Sequence, residues 1–258
     1  MTDPFADKST VAEIRDRFDH DVERFSNLDT GQVAAKGSAE AMALVADAAV
    51  ATTPALLQPG PHLCDIGCGA GNYTLRLLQR ISAAGGDPSS ASITLIDLSQ
   101  PMLDRATQRL IDAGIPDASI RAIQSDIRDV SLGVQRFDAI LAAQCFHHLR
   151  AEAEWRNVFS HAVAALCSHG SLWISDSIDH ATPGVRQMIR DRWSAYLESV
   201  DGPAYRDRVM AYVDREDTPR PLAWQLDLLR EVGLSTVDVL TVDNRFAAFG
   251  GGVSRNSP

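Results

Sequence analysis

The segment "CDIGCGAGNYT", residues 64–74, concentrates groups able to do chemistry: two thiols, three glycines and one carboxylate. It can be half of a metal site, a loop that cradles phosphate, or a pocket for a cofactor without phosphate. Zinc sites pair C-x2-C or C-x4-C with a second such pair downstream. Here Cys64 and Cys68 are spaced C-x3-C, and Cys145 and Cys167 each stand alone. No metal site is expected, and the four cysteines read as small buried hydrophobes. The glycines run Gly67-x-Gly69-x-Gly71, not G-x-G-x-x-G, and no Lys-Ser/Thr follows, which excludes a Walker loop. Asn72 stands where a dinucleotide site needs room beside the helix. Asp65, two residues before Gly67, would repel a pyrophosphate and welcome a cationic ligand.

Two further carboxylates follow at similar places. Asp97 in "LIDLSQPML" can take both hydroxyls of a ribose, as acids at the end of a second strand do. It lies beyond the usual ~20 residues from a glycine loop, and the turn-rich stretch 83–92 accounts for the excess. Leu98 can lie on one face of an adenine, with Met102 in the same segment. Asp126 in "QSDIRD" can accept an adenine amino hydrogen, and Ile127 can cover the other face. Gln144, His147 and His148 in "ILAAQCFHHL" follow a fourth strand, and Asp176 ends a fifth. The result is a pocket for ribose, adenine and an amino-acid tail, without a phosphate site.

These groups need a scaffold that brings strand ends together. "PHLCDIG", "ITLID", "ASIRAIQSD", "FDAILAAQ" and "SLWISD" read as strands. Between them "NYTLRLLQRI" (72–81), "PMLDRATQRLIDA" (101–113) and "EAEWRNVFSHAVAALCSHG" read as helices, the last ending near Gly170. Alternating strands and helices predict a parallel, doubly wound sheet, which binds ligands at the strands' C-terminal edge. Residues 182–216 read as two further helices. They precede a helix, "LAWQLDLLREVG", and two strands, "STVDVLTVD" and "RFAAFGG", whose short connection requires them to be antiparallel. Upstream, Val11, Ile14, Phe18, Val22 and Phe25 mark an amphipathic helix opened by a Thr10–Glu13 capping box, and 38–51 forms another.

The 258 residues, 45% hydrophobic, suffice for one α/β domain with elaborations. A formal net charge of −10 makes nucleic acid an unexpected main partner, without excluding it. No apolar run approaches the ~20 residues of a membrane span. The polar N-terminus lacks a signal-peptide core, so a cytoplasmic protein is expected.

The ordered set "DIGCGAG", "LIDLSQPML", "QSDIRD", "ILAAQCFHHL" and "GSLWISD" resembles the class I S-adenosylmethionine-dependent methyltransferases over residues 58–178. The resemblance implies an α/β, Rossmann-like seven-stranded sheet in the order 3-2-1-4-5-7-6 with strand 7 antiparallel. Residues 1–57 would then pack on a methyltransferase domain, 58–258, that carries the 182–216 helical insertion after strand 5. S-adenosylmethionine is the implied cofactor. Asp65, Gly67, Cys68, Gly69, Gly71, Asn72, Asp97, Leu98, Met102, Asp126, Ile127 and Gln144 are the implied binding residues. His147 and Gln144 become candidates at the reacting methyl, and Asp176 for substrate or for a helix cap.

The acceptor is expected to be a small molecule. More diffusely, "FDHDVERFSN", the "SDIRDV" stretch and the long insertion after strand 5 resemble the carboxy-S-adenosylmethionine synthase group of tRNA modification, but its loop usually lacks "GCGAG". A non-catalytic S-adenosylmethionine-binding module is the remaining alternative. In the insertion, Tyr205, Arg206, Arg208 and Tyr212 can contact ligand or form a solvated face. Met188, Ile189, Trp193, Tyr196 and Leu197 read as core or as a homodimer surface. The N-terminal helix and the insertion together are expected to close over the site.

Overall fold

The computed structural model describes residues 5–27 and 32–254. Thr10 caps helix α1 (Val11–His20) through the expected box with Glu13. The helix does not run on to Phe25: Asp21 (φ −101°, ψ 15°) breaks it, and α2 (Val22–Ser26) follows. Helix α3 (Ser38–Thr52) leads to strand β1 (His62–Ile66). Then come α4 (Asn72–Ala83), β2 (Ser92–Asp97), α5 (Gln100–Asp112), β3 (Ile120–Gln124), β4 (Phe137–Ala143) and α6 (Glu152–Ala165). The chain ends with β5 (Leu166–Ser177), α7 (Pro183–Glu216), α8 (Leu222–Glu231), β6 (Asp238–Asp243) and β7 (Phe246–Gly252).

The sheet has seven strands in the order β3-β2-β1-β4-β5-β7-β6, as the resemblance implied. β7 runs antiparallel to both neighbours, Ile174 facing Phe249 on one side and Val242 facing Ala247 on the other. One face is packed by α6 and α8 through Trp155, Phe159, Val163, Leu228 and Leu229. The other is packed by α3, α4 and α5 through Met42, Val45, Leu77, Leu78, Leu103 and Leu110. With both faces covered, the central strands are mainly apolar, with Asp65 and Asp176 near their C-terminal ends as buried exceptions.

One further expectation about an element end changes. Helix α6 stops at Ala165, not near Gly170, and Leu166 already pairs with Phe137 of β4. The pairing then shifts, and Ala139 faces Ser171. Residues 167–170 form the bulge between, with Gly170 pressed so closely that a Cβ would stand 3.0 Å from the Phe137 carbonyl oxygen. The insertion is two helices, as read, set end to end in α7. Asp201 and Gly202 leave helical geometry, Gly202 adopts φ 76°, and Pro203 starts the second half. A positive φ is open to glycine at little steric cost. Trp193, Leu197, Val209 and Val213 of the two halves form a small core of their own. Among the described residues no helix is long and apolar enough to cross a membrane.

Candidate active site

The C-terminal ends of β1, β2 and β4 open onto a cavity of about 520 Å³, within the usual range for ligand sites. Phe18 of α1, Phe25 of α2, and Trp193 and Tyr212 of α7 line its other side, so these helices roof it. The roof is fastened. Arg17 grips Glu216 with two nitrogens at 2.5–3.0 Å, the Ser9 amide donates to the Arg215 carbonyl (2.9 Å), and Arg105 pairs with Glu23.

The glycine loop is tied to β2. The amides of Gly67 and Cys68 donate to the Ile96 carbonyl at 2.8 and 3.1 Å. The Gly69 amide donates to Asp97 Oδ2 (2.8 Å), and the Ser99 amide to Asp97 Oδ1 (2.9 Å). Asp97 is therefore held in one orientation at the cavity edge. Burial raises its pKa against these amide donors. Gly69 faces open space, where an added Cβ would meet nothing within 4 Å.

Gly67, at φ 64°, would put a Cβ 2.4 Å from the Cys145 Cβ. Gly67→Ala is expected to destabilise the fold by roughly 1–3 kcal/mol through overpacking, with Gly69→Ala the milder change. Chemical denaturation showing Gly67→Ala as stable as wild type would refute this packing argument.

Asp65 is buried at the end of β1. Thr74 donates its hydroxyl to Oδ2 at 2.5 Å, while Oδ1 is buried and has no hydrogen-bond partner among the described residues. Burial pushes its pKa up to about 7, Thr74 opposing and the Asp97 charge adding. An orphaned carboxylate oxygen on the wall of a cavity invites a cation.

Of the remaining candidates, Cys68, Asn72, Leu98, Met102, Asp126, Ile127, Gln144 and His147 all line the cavity. The side chain of Asn72 is already engaged, donating to the Phe25 carbonyl (2.9 Å) and accepting from Arg109 (2.6 Å), so it locks α2 to the loop. Asp126 is forked by Arg128, whose Nε and Nη2 lie at 2.9 and 2.5 Å. Burial works against its ionisation, but the guanidinium outweighs it and holds the pKa below the usual carboxylate value. Gly71 sits behind the loop, where a Cβ would touch Ala106 of α5 at 3.2 Å, so its place concerns helix packing. Burial pushes the Cys64, Cys68 and Cys145 thiols up, which keeps them un-ionised.

Gln144, in left-handed geometry at φ 51°, donates its amide to the Ser175 carbonyl of β5 at 2.8 Å. His147 follows. Its Nδ1 hydrogen-bonds Asp176, which also accepts the Phe146 amide (2.7 Å) and the Ser177 amide (2.6 Å). Asp176 thus stands behind His147, not on the cavity wall. His147 Nε2 looks toward Asp217 Oδ1 at 3.6 Å. Burial opposes a charge on His147, yet Asp217 and Asp176 prevail and its pKa lies above the ordinary value. For His148, burial and the neighbouring His147 drive it well below.

His147, His148 and Asp217 offer donor atoms within 4.8 Å of one another, the spacing of a cation site. Lys8, Arg17, Arg150 and Arg245 also line the cavity. That positive surround favours a histidine–carboxylate network over a bound cation. Arg206 pairs with Glu198 and Asp207 at the surface, and of the insertion residues Tyr205, Arg206, Arg208 and Tyr212 the cavity takes in Tyr212 alone.

Asp217, Arg150, Arg245 and Lys8 were not picked out by sequence. They lie in charged turns or tails without periodicity, and long-range folding alone brings them together.

The cavity wall thus presents a buried carboxylate oxygen without a partner among the described residues, an acid held from β2, and a loop open at Gly69. Residues 63–170 match the family model of the methyltransferase domain. An N-methyltransferase of Penicillium aethiopicum (vrtF) is 33% identical over 95 residues, 37% of this chain and 34% of that one. The malonyl-[acyl-carrier protein] O-methyltransferase of Paenibacillus sp. strain JDR-2 is 32% identical over 114 residues, 43% of this chain and 37% of that one. The matches thus span about a third of these relatives' lengths. Magnesium protoporphyrin IX methyltransferase from Synechocystis PCC 6803, solved with bound S-adenosylhomocysteine, shares the fold at a TM-score of 0.62 and 17% identity, covering 95% of this chain and all of that one. The fold is that of the class I methyltransferases. Over residues 63–170 the chain is thus similar to a methyltransferase domain, set in a fold shared with that solved methyltransferase.

Proposed function

We propose that the protein transfers a methyl group from S-adenosylmethionine to a small-molecule acceptor. The observation that carries this reading is the unpaired Asp65 oxygen beside Asp97 on one cavity wall. Asp65 would hold the ammonium of the cofactor and Asp97 the ribose hydroxyls. Leu98, Met102 and Ile127 would bracket the adenine. Asp126, although forked by Arg128, keeps lone pairs for the adenine amine, since a carboxylate offers about four acceptor sites. The cofactor, when bound, supplies an electrophilic methyl, and the chain contributes alignment, water exclusion and, for a protonated acceptor, a base.

His147 is that base in this reading. Asp176 accepts a hydrogen bond from Nδ1–H, which places the lone pair on Nε2, the nitrogen that would receive a proton. The roof of α1, α2 and α7 would keep water from the reacting centre. One relative is named for transfer to nitrogen and the other for transfer to oxygen. Both names support ordinary methyl transfer over synthesis of a carboxylated cofactor.

Asp97→Ala tests the cofactor assignment. It is expected to weaken S-adenosylmethionine binding by roughly 1–3 kcal/mol, the loss of hydrogen bonds to a charged acceptor. Calorimetry finding wild-type affinity in a variant with wild-type circular dichroism would remove the ribose role.

A further inference from the structure

A second cavity of about 380 Å³ adjoins the first. Phe5, Lys8, Arg150, Val213, Asp217 and Arg245 line both and form the wall between them. That wall holds three cations and one carboxylate. We infer that it is the anion-binding end of the acceptor site, taking an oxyanion, carboxylate or phosphate, that anchors the acceptor while another of its atoms meets the methyl. This rests on the reading of the first cavity as the site of methyl transfer.

Arg245 has a side chain only 12% exposed, stacked 4.3 Å from the Trp193 ring. Among the described residues its side chain makes one hydrogen bond, to Asp217 Oδ2 at 3.4 Å, out of the five a guanidinium can donate. Lys8 donates to the backbone carbonyls of Asp214 and Asp217, both at 2.7 Å. Arg150 donates to the carbonyls of Ser9 (3.1 Å) and Glu216 and to the Thr218 hydroxyl (3.3 Å). Among the described residues neither Lys8 nor Arg150 forms an ion pair. The other cations nearby are matched: Arg17 by Glu216, Arg186 by Asp179, and Arg190 by Asp214. Asp217 is shared by Arg245 and His147.

Arg245 shares its one paired carboxylate with His147, and Lys8 and Arg150 are held by neutral oxygens, so an incoming oxyanion offsets the desolvation of these partly buried cations. Burial indeed lowers the pKa of Arg245, Arg150 and Lys8. An oxyanion clamped by two cations is a poor nucleophile, which makes it the handle of the acceptor and not the methylated atom. The aromatic rings of Phe18, Phe25 and Trp193 on the near side suit an apolar body attached to that handle.

The test is a titration of the full chain, in the presence and absence of S-adenosylhomocysteine, with 3-phenylpropanoate, phenyl phosphate and the neutral 3-phenylpropanamide. One of the two anions should bind at least about tenfold tighter than the amide, the size of one charged hydrogen bond; whichever it is identifies the oxyanion. Lys8→Gln and Arg245→Gln should each cut that preference about tenfold and leave amide and S-adenosylhomocysteine binding unchanged. Arg245→Lys should retain part of it, which a purely structural arginine would not show. An amide bound as well as both anions, or a preference that survives in both glutamine variants, overturns the anion site while intact S-adenosylhomocysteine binding leaves the methyltransferase reading standing. Failure of S-adenosylhomocysteine to bind wild type overturns the methyltransferase reading itself, and the acceptor assignment with it.

Discussion

Asp65→Asn is expected to bind S-adenosylmethionine about 2–5 kcal/mol more weakly than wild type, the loss on truncating one partner of a buried charge pair. The same variant, without ligand, should be the more stable protein above neutral pH. The Asp65 carboxyl titrates near pH 7 in the folded chain, against an ordinary value of 3.8. A raised carboxyl pKa means that the folded state holds the proton more tightly than the unfolded chain does. Its contribution to stability is complete below about pH 4 and is lost as pH rises through about 7. Beyond that, the wild-type apoprotein carries a buried, unpaired carboxylate, at an order-of-magnitude cost of about 4 kcal/mol. The amide removes the slope.

A cationic ligand reverses the preference, because it favours the ionised carboxylate. Wild-type affinity should therefore rise roughly tenfold per pH unit below 7 and level off above it. Thermal melts at pH 5 and pH 8 with calorimetry at both would decide. Equal pH slopes for the two proteins, or unchanged affinity in the variant, would discard Asp65 as the ammonium site.

His147→Gln should lower kcat by about 10²–10⁴-fold, the span of general base catalysis, with cofactor affinity unchanged. An acceptor for this assay can be found by screening with methyl-labelled S-adenosylmethionine. A base acts when neutral, and the carboxylates of Asp217 and Asp176 hold His147 above the ordinary pKa of 6.5. The wild-type rate should accordingly climb along a limb centred above pH 6.5. Asp217→Asn removes one of those charges and should move the limb toward lower pH. A His147→Gln enzyme with full kcat, or a rate flat across this range, would take the base role from His147.

What sequence shows and what it hides divides along chain distance. The glycine loop, Asp65 and Asp97 were legible because each sits within a few residues of a strand end, and the alternation of strands and helices fixes which edge those ends share. Asp126 was legible in place but not in state: Arg128, two residues on, forks the carboxylate that sequence leaves free. The end of α6 was misplaced because Val163, Ala165 and Leu166 continue a helical apolar pattern. Pairing of Leu166 with Phe137, a contact across the sheet, overrides it. Asp217, Arg245, Arg150 and Lys8 were out of reach for the same reason in stronger form. Lys8 and Asp217 lie 209 positions apart and meet because α7 folds back along the N-terminal segment.

The Arg17–Glu216 clasp makes the site a room with a latched door. Its carboxylate is 7% exposed and its guanidinium 22%. Salt screens such a partly buried pair far less than it screens charges in open water. Lifting the roof then means wetting and parting this pair together with the Ser9–Arg215 bond and the Arg105–Glu23 pair, whatever the guest. Under the proposed chemistry, acceptors of very different reactivity would share one ceiling on turnover, set by how often the latch lifts to let the spent cofactor leave.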